Sequence, residues 1–281
     1  MSIIGFPAQR VRNALPIGTA VIGAGYFGKL HARSYLQLPS SRLDAIIDPD
    51  PETRTFAERI GVPWFAAPDA LPDSVRAVSV ATPVDTHYPI ARKLLERGID
   101  VLLEKPIAET LEQAADLRAL ASSRGRLLQI GHIERFNPAF AAAAGVLRQA
   151  RCIRAYRASE HRPRHAAMDV VVDLMIHDLD LVLSQHEARI VELRAEGCSH
   201  GYTPIDEARA QLTFANGCRV EFDARWGVAS VVNSERRMMI ELADGVWTLD
   251  FRQRQAGLRG NDGTIEIENA AVASPHDQLM L

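Results

Sequence analysis

Short apolar runs and amphipathic stretches take turns through the first half of the chain. Thr19 to Ile22 is an apolar run that ends in Gly23-Ala24-Gly25-Tyr26-Phe27-Gly28, and a helical pattern follows through Gln37. Leu43 to Asp48 reads as a second strand, and Val75 to Ala81 as a third that closes at Thr82-Pro83. A helix over residues 87–97 stops at Gly98, and Val101 to Glu104 makes the next strand. Thr110-Leu111-Glu112-Gln113 is a capping box that opens a helix ending near Gly125, and Leu127 to Ile130 supplies one more strand. Strands alternating with helices at this spacing predict a parallel, doubly wound sheet, because parallel neighbours need a long crossover.

Past residue 150 the rhythm changes. Ala210 to Phe214 and Arg219 to Phe222 are alternating or β-rich runs, and the dipeptides Asn216-Gly217 and Asp244-Gly245 sit between such runs. Those dipeptides predict type I′ hairpins and therefore an antiparallel sheet. The expected class is α/β, with a doubly wound domain over residues 1–130 and an α+β domain with a mostly antiparallel sheet over 131–281.

Composition narrows the partners. The 281 residues are 47% hydrophobic and 24% charged, ordinary for a globular protein, and long enough for a real core. A formal net charge of −3 argues against a nucleic-acid surface, which needs a basic excess. No window approaches ~18 uninterrupted apolar residues, so no membrane span is expected. The N-terminus lacks a basic-then-apolar signal pattern, and Cys152, Cys198 and Cys218 are odd in number and far apart. Reduced thiols of a cytoplasmic protein fit this better than disulfides or a zinc cluster, and no metal site is expected.

One residue type stands out against that background. Of 32 cationic residues only Lys29, Lys93 and Lys105 are lysines. A chain that uses arginine by default keeps a lysine where a compact ammonium with an adjustable pKa is needed. Lys105 follows the apolar run Val101-Leu102-Leu103-Glu104 and precedes Pro106, which offers no ladder donor and stops the strand. That places it at the carboxyl end of a strand, where open α/β sheets hold their ligands.

Gly23, Gly25 and Gly28 satisfy G-x-G-x-x-G between a strand and a helix. The first glycine permits the tight turn, the second lets a pyrophosphate approach the backbone, and the third lets helix and strand pack closely. Asp48 ends the next strand 20 residues after Gly28, where a carboxylate can take ribose hydroxyls. With Asp48 and Asp50 both acidic a 2′-phosphate would be repelled, so NAD is favoured over NADP, although Arg54 lies near enough in sequence to turn inward.

The run Asp169 to Leu183 is apolar nearly all round if helical, apart from Asp169, Asp173, His177 and Asp180 on one line. A buried helix carries such groups at a cost unless the line faces a polar site. Asp173 sits four residues before His177, close enough to orient the ring and stabilise an imidazolium. Three readings stand: a histidine satisfied by a core carboxylate, a two-ligand metal contact, and an acid/base pair. The third gains when joined to Lys105 and the glycine fingerprint.

In this order, the Gly23 fingerprint running into His31, Ala81-Thr82-Pro83 with His87, Glu104-Lys105-Pro106 and Asp173-x-x-x-His177 resemble the glucose–fructose oxidoreductase / inositol 2-dehydrogenase / MocA (Gfo/Idh/MocA) family over residues 17–250. The resemblance implies a Rossmann domain that binds a nicotinamide cofactor, NAD with NADP possible. It also implies a second domain whose sheet forms the substrate wall and the surface of a homodimer or homotetramer. Lys105 would hold and polarise the reacting hydroxyl, His177 would exchange its proton, and Asp173 would contact the substrate or His177. Tyr26 and Phe27 belong to the fingerprint, and Thr82, Pro83, His87 and Glu104 would line the cofactor cleft.

Gly131-His132-Ile133-Glu134-Arg135-Phe136-Asn137-Pro138-Ala139 is similar to the members that act on nucleotide-linked amino sugars, dehydrogenases of UDP-N-acetylglucosamine C3 among them. Arg135 and Asn137 are then candidate substrate contacts, as is Arg162 in the basic segment His161-Arg162-Pro163-Arg164-His165. Asn137-Pro138 is also an ordinary N-cap followed by proline at the first helical position, and Arg135 and the basic segment also read as solvated surface. Val170-Val171-Val172 stands where many members carry glycines, which bears on pocket width near His177. The sequence ends at Leu281, where many members continue into a final helix, implying a truncated or short member. The expected activity is NAD-dependent oxidation of a sugar or nucleotide-sugar hydroxyl to a ketone. The alternatives are a dehydrogenase of a free sugar or cyclitol, and a nicotinamide-binding sensor without chemistry.

Overall fold

The computed structural model describes residues 15–161, 168–201, 203–227 and 234–269. The chain divides into two units after Gly131, and each unit has its own sheet. The first contains β1 (Ile17–Ile22), α1 (Tyr26–Gln37), β2 (Ser41–Ile47), α2 (Arg54–Arg59), β3 (Trp64–Phe65), β4 (Val75–Val80), α3 (Val84–Glu96), β5 (Asp100–Leu103), α4 (Leu111–Arg124) and β6 (Leu128–Ile130). Its sheet runs β3-β2-β1-β4-β5-β6 with every pair parallel. The strand order reverses beside β1 and β4, so their carboxyl ends open a crevice at the switch point.

Both faces of this sheet are covered, which is why its strands read as continuous apolar runs. Ala20 and Ile22 of β1 pack with Leu94, Leu95 and Leu117 on one side, and Val21 packs with Ala32 and Phe56 on the other. Thr110 caps α4 by accepting the Gln113 N–H at 3.2 Å, while the Gln113 side chain returns to Glu109 N–H at 3.3 Å rather than to Thr110. Gly125 closes that helix with φ +60°. The short elements α2 and β3 have no counterpart in the predicted pattern.

The second unit contains α5 (Pro138–Ala143), β7 (Cys152–Glu160), α6 (Ile176–Gln185), β8 (Ile190–Cys198), β9 (Glu207–Phe214), β10 (Arg219–Gly227), β11 (Glu235–Glu241), β12 (Gly245–Asp250), β13 (Gln255–Gly260) and β14 (Ile265–Asn269). The sheet order is β14-β13-β12-β11-β7-β10-β9-β8, antiparallel throughout except for the parallel pair β7 and β10. Ile153, Phe214, Val220, Phe222 and Ile240 face Phe140, Leu181 and Val182 of the helices. The opposite face is charged and carries ion pairs such as Arg154–Glu221 and Arg209–Asp223.

The expected type I′ turns are not what the backbone adopts. Among the described residues Arg254 is the non-glycine with positive φ, so neither Asn216 nor Asp244 takes the required left-handed conformation. Gly217 N–H reaches Phe214 O at 2.8 Å and Gly217 has φ +87°, which makes a three-residue loop closed by a glycine bulge. Gly245 instead opens β12 as its first residue, where a Cβ would meet Arg259 O at 2.7 Å.

At the centre of the second unit Arg157 is 1% exposed. It donates from Nε and Nη2 to both Asp178 oxygens at 2.9 and 2.8 Å and from Nη1 to Glu134 Oε1 at 3.2 Å. Burial alone would raise the Glu134 carboxyl, but the Arg157 and Arg236 charges, with hydrogen bonds from Arg157 and Asn137, hold it below its ordinary 4.5. A depressed carboxyl contributes stability above its unfolded value, and that stability is lost as pH falls through the folded value. Glu134→Gln is therefore expected to flatten the loss of Tm on acidification below about pH 4.5, in melts recorded across that range. Arg157→Ala strands two buried carboxylates and should lower unfolding free energy by about 3–5 kcal/mol in urea titrations; a loss under about 1 kcal/mol would mean the network is not buried as described.

Candidate active site

The glycine turn begins where β1 runs out, with Gly23 N–H on Ile47 O at 2.8 Å. Gly23 has φ +89°, and a Cβ there would lie 2.5 Å from Ala81 O. A Cβ on Gly28 would fall 1.7 Å from Gly23 O, so helix α1 can approach the strand only without a side chain. Gly25 differs: nothing lies within 4 Å of its hypothetical Cβ, which leaves the backbone open at the N-terminus of the 12-residue α1. These features fit the pyrophosphate of a dinucleotide, whose charge the α1 N-terminus would face. Tyr26 and Phe27 are exposed beside it, edge to face at 5.4 Å.

Asp48 is the first residue past β2. Its Oδ2 accepts Ala24 N–H at 2.5 Å and its Oδ1 accepts Asp50 N–H at 2.9 Å. The carboxylate thus stands at the expected ribose position and also ties the β2 end to the glycine turn.

Thr82 and Pro83 lead from β4 into α3, with Pro83 as the N-cap residue. His87 is 1% exposed, and its ring nitrogens face Pro106 O at 2.8 Å and Thr82 O at 2.9 Å. His87 therefore does not line a cleft as expected; it latches the loop after β5 to the loop after β4. Lys105 is half-buried in that loop and followed by a cis peptide to Pro106.

Glu104 precedes it and accepts from Lys105 N–H at 3.3 Å and pairs with His31 Nε2 at 2.8 Å. Behind His31, Ser79 Oγ lies 3.4 Å from Nδ1, and Tyr35 Oη lies 2.7 Å from Ser79 Oγ. A single neutral tautomer satisfies the chain: Tyr35 O–H donates to Ser79, Ser79 to Nδ1, and Nε2–H to Glu104. Burial raises the Tyr35 phenol, partly offset by Ser79, so the hydroxyl stays a donor. Gly131 completes the fit, because a Cβ there would meet the Glu104 carboxylate at 2.9 Å. Ser79, Tyr35 and Gly131 were missed as site residues; a serine inside the apolar run Val75–Val80 was the available signal.

In the second unit the expected continuous helix over 169–183 is interrupted. Val171–Met175 forms a π-helical turn and α6 starts at Ile176. The wider turn interrupts the uniform helix from which the stripe was read. Asp169 lies ahead of the turn and accepts Ile205 N–H at 3.0 Å. Asp180 holds Arg135 through two bonds of 2.7 and 2.5 Å and lies 3.5 Å from His132 Nε2. Asp173, within the π-turn, and His177, just after it, are both half-buried.

Of the remaining candidates, Asn137 is 3% exposed. It caps α5 through Ala139 N–H at 3.1 Å and donates to Glu134 Oε2 and Phe251 O. That burial removes Asn137 from the substrate contacts. Arg135 keeps 47% of its side chain exposed while paired to Asp180, and Arg162 lies outside the described residues.

A glycine cradle on a parallel sheet ordered β3-β2-β1-β4-β5-β6 defines a dinucleotide-binding protein. Residues 17–132 match the family model described as oxidoreductase family, NAD-binding Rossmann fold. The chain belongs to this family, the Gfo/Idh/MocA oxidoreductases, and NAD is its cofactor. It is 36% identical over 239 residues to a UDP-N-acetylglucosamine 3-dehydrogenase from Acidithiobacillus ferrooxidans, covering 83% of this chain and 74% of that protein. The solved structure of that dehydrogenase superposes with TM-score 0.86 at 32% identity, covering 94% of this chain and 86% of the other. An inositol 2-dehydrogenase from Rubrobacter xylanophilus is 31% identical over 216 residues, covering 72% of this chain and 62% of its own length. Among the described residues no helix is long and apolar enough to cross a membrane.

The two glycines separate packing from binding. Gly25→Ala should leave Tm unchanged yet weaken NAD binding about tenfold by calorimetry, because the added methyl occupies only the open side of the turn. Gly28→Ala should lower both Tm and affinity; normal behaviour of both variants would refute the cradle.

Proposed function

We propose that this chain oxidises a ring hydroxyl of a nucleotide-linked amino sugar, C3 of UDP-N-acetylglucosamine, to the ketone. The observation that carries the proposal is the 239-residue likeness to the Acidithiobacillus enzyme, which is longer than the 17–132 cofactor match and so includes much of the second unit. Bound NAD supplies the hydride acceptor. Lys105 presents its ammonium to the substrate oxygen and stabilises the charge that develops there. His177 takes the hydroxyl proton, with Asp173 orienting the ring or the sugar. Arg135 offers the exposed part of its guanidinium to the diphosphate. Asp48 takes the ribose, and Thr82, Pro83 and Glu104 border the nicotinamide end.

Residues 1–130 then serve as the cofactor domain and 131–281 as the substrate domain. The second unit's eight-stranded sheet would supply the surface for pairing with a second copy as a homodimer or homotetramer. Three free cysteines support a cytoplasmic setting, where thiols stay reduced. The likeness to an inositol 2-dehydrogenase favours a cyclitol or free sugar as the second reading.

A panel of UDP-sugars, free sugars and inositols, each with NAD, discriminates these readings by nicotinamide absorbance. Reduction is expected with UDP-N-acetylglucosamine; reduction only with inositol selects the second reading, and NAD binding without any reduction selects a sensor. Lys105→Met should lower kcat by at least about 10²-fold with NAD affinity kept, since a lost oxyanion donor acts on turnover. Unchanged turnover would overturn the role of Lys105.

A further inference from the structure

We propose that the β8–β9 hairpin carries a binding site for a zinc-class divalent cation, with Cys198, His200 and Glu207 as ligands. Cys198 ends β8, Glu207 begins β9, and the two are register partners on the charged face of the sheet. His200 lies in the short connection between them. One ligand atom from each residue, thiol sulfur, ring nitrogen and carboxylate oxygen, lies within 4.8 Å of the other two. The expectation of no metal site rested on three cysteines far apart in sequence; this group needs only one of them.

The second observation is the support behind the histidine. Asp206 is fully buried, at 0% exposure. It accepts His200 Nδ1–H at 2.7 Å and the His200 backbone N–H at 2.9 and 2.7 Å. A carboxylate on Nδ1 fixes the tautomer that leaves the Nε2 lone pair outward, the arrangement common behind metal-bound imidazoles. Nε2 is 4.0 Å from Cys198 Sγ. Zn–S of about 2.3 Å and Zn–N of about 2.0 Å put tetrahedral donors about 3.5 Å apart, so closure needs only about 0.5 Å of movement.

The loop is held independently of any ion. Asp206 N–H bonds Cys198 O at 3.0 Å, Ser199 Oγ bonds Thr203 O at 2.8 Å and Thr203 Oγ1 bonds Ile205 O at 2.7 Å. Arg209 is the competing cation for Glu207, at 3.6 Å, but its shorter partner is Asp223 at 2.9 Å. Thiolate, imidazole and carboxylate together select zinc or cobalt over the oxygen-seeking magnesium and calcium, with one coordination position left for water.

Buried thiols elsewhere do not confuse the readout. Burial, with a small addition from Cys152, pushes the Cys218 thiol up to about 11, and burial likewise raises Cys152. The experiment strips the whole protein with chelator and titrates it with Co²⁺. One cobalt per chain is expected, with a sulfur-to-cobalt charge-transfer band and tetrahedral d–d bands, and Zn²⁺ should displace it. Cys198→Ser should abolish the charge-transfer band. Asp206→Asn should weaken cobalt binding about 10–100-fold, and Glu207→Gln, which leaves the loop bonds intact, should weaken it without loss of fold. Maleimide labelling of Cys198 should slow when Zn²⁺ is bound. Absence of stoichiometric cobalt, or a charge-transfer band that survives Cys198→Ser, would overturn the site.

Discussion

A guanidinium sealed from water sets the geometry of the second unit. Arg157 projects from β7, and its partners come from elsewhere: Asp178 from α6, Glu134 from the turn after β6. The charge is tolerable only if both carboxylates are in place, so strand, helix and turn must find one mutual arrangement. Arg236 from β11 leans on the same Glu134 at 3.3 Å; its own charge is disfavoured first by burial and then by Arg157. Asp178 is the chain neighbour of His177, so fixing the first orients the helix that carries the second. Buried ion networks of this kind often contribute little net stability over an apolar cluster, because desolvation offsets the attraction.

The first unit solves a comparable problem with a hydrogen-bonded relay. Tyr35, Ser79, His31 and Glu104 relay hydrogen bonds from α1 across the strand ends to the loop that holds Lys105. Gly131 leaves room for the carboxylate at the end of that relay, just as Gly28 leaves room for the helix at the start of the cradle. Each glycine matters here through a close approach, and each approach brings a polar backbone or carboxylate to a chosen place. His87 adds a second tie, its two ring nitrogens set against carbonyls of the two loops.

Most of this frame was legible from the sequence, because buried parallel strands and amphipathic helices leave long periodic traces. The six-residue α2 and two-residue β3 are too short to leave one. The continuous helix expected over 169–183 failed for a related reason: periodicity assumes a uniform helix, and the π-turn at Val171–Met175 interrupts it. Asn-Gly and Asp-Gly marked strand ends in the right places, yet neighbouring bonds chose other turns. Glu134-Arg135-Phe136-Asn137 shows a deeper limit. Charged residues read as exposed unless their partners are known, and Arg157, Arg236 and Phe251 lie 23, 102 and 114 positions from theirs.

Several polar groups are committed to the frame. Asp48 ties the β2 end to the glycine turn, Glu104 is committed to His31, and Asp180 to Arg135. Lys105 and His177 stand where regular structure stops or starts, one in the loop directly after β5 and the other at the second residue of α6, immediately past a π-turn. At such points the direction of a side chain is set by the turn rather than by the ladder or the helix. A rare lysine in an arginine-rich chain marks that loop in the sequence. The structure adds the reason the loop holds still: a hydrogen-bonded relay behind Glu104 and the buried His87 ring set against two carbonyls.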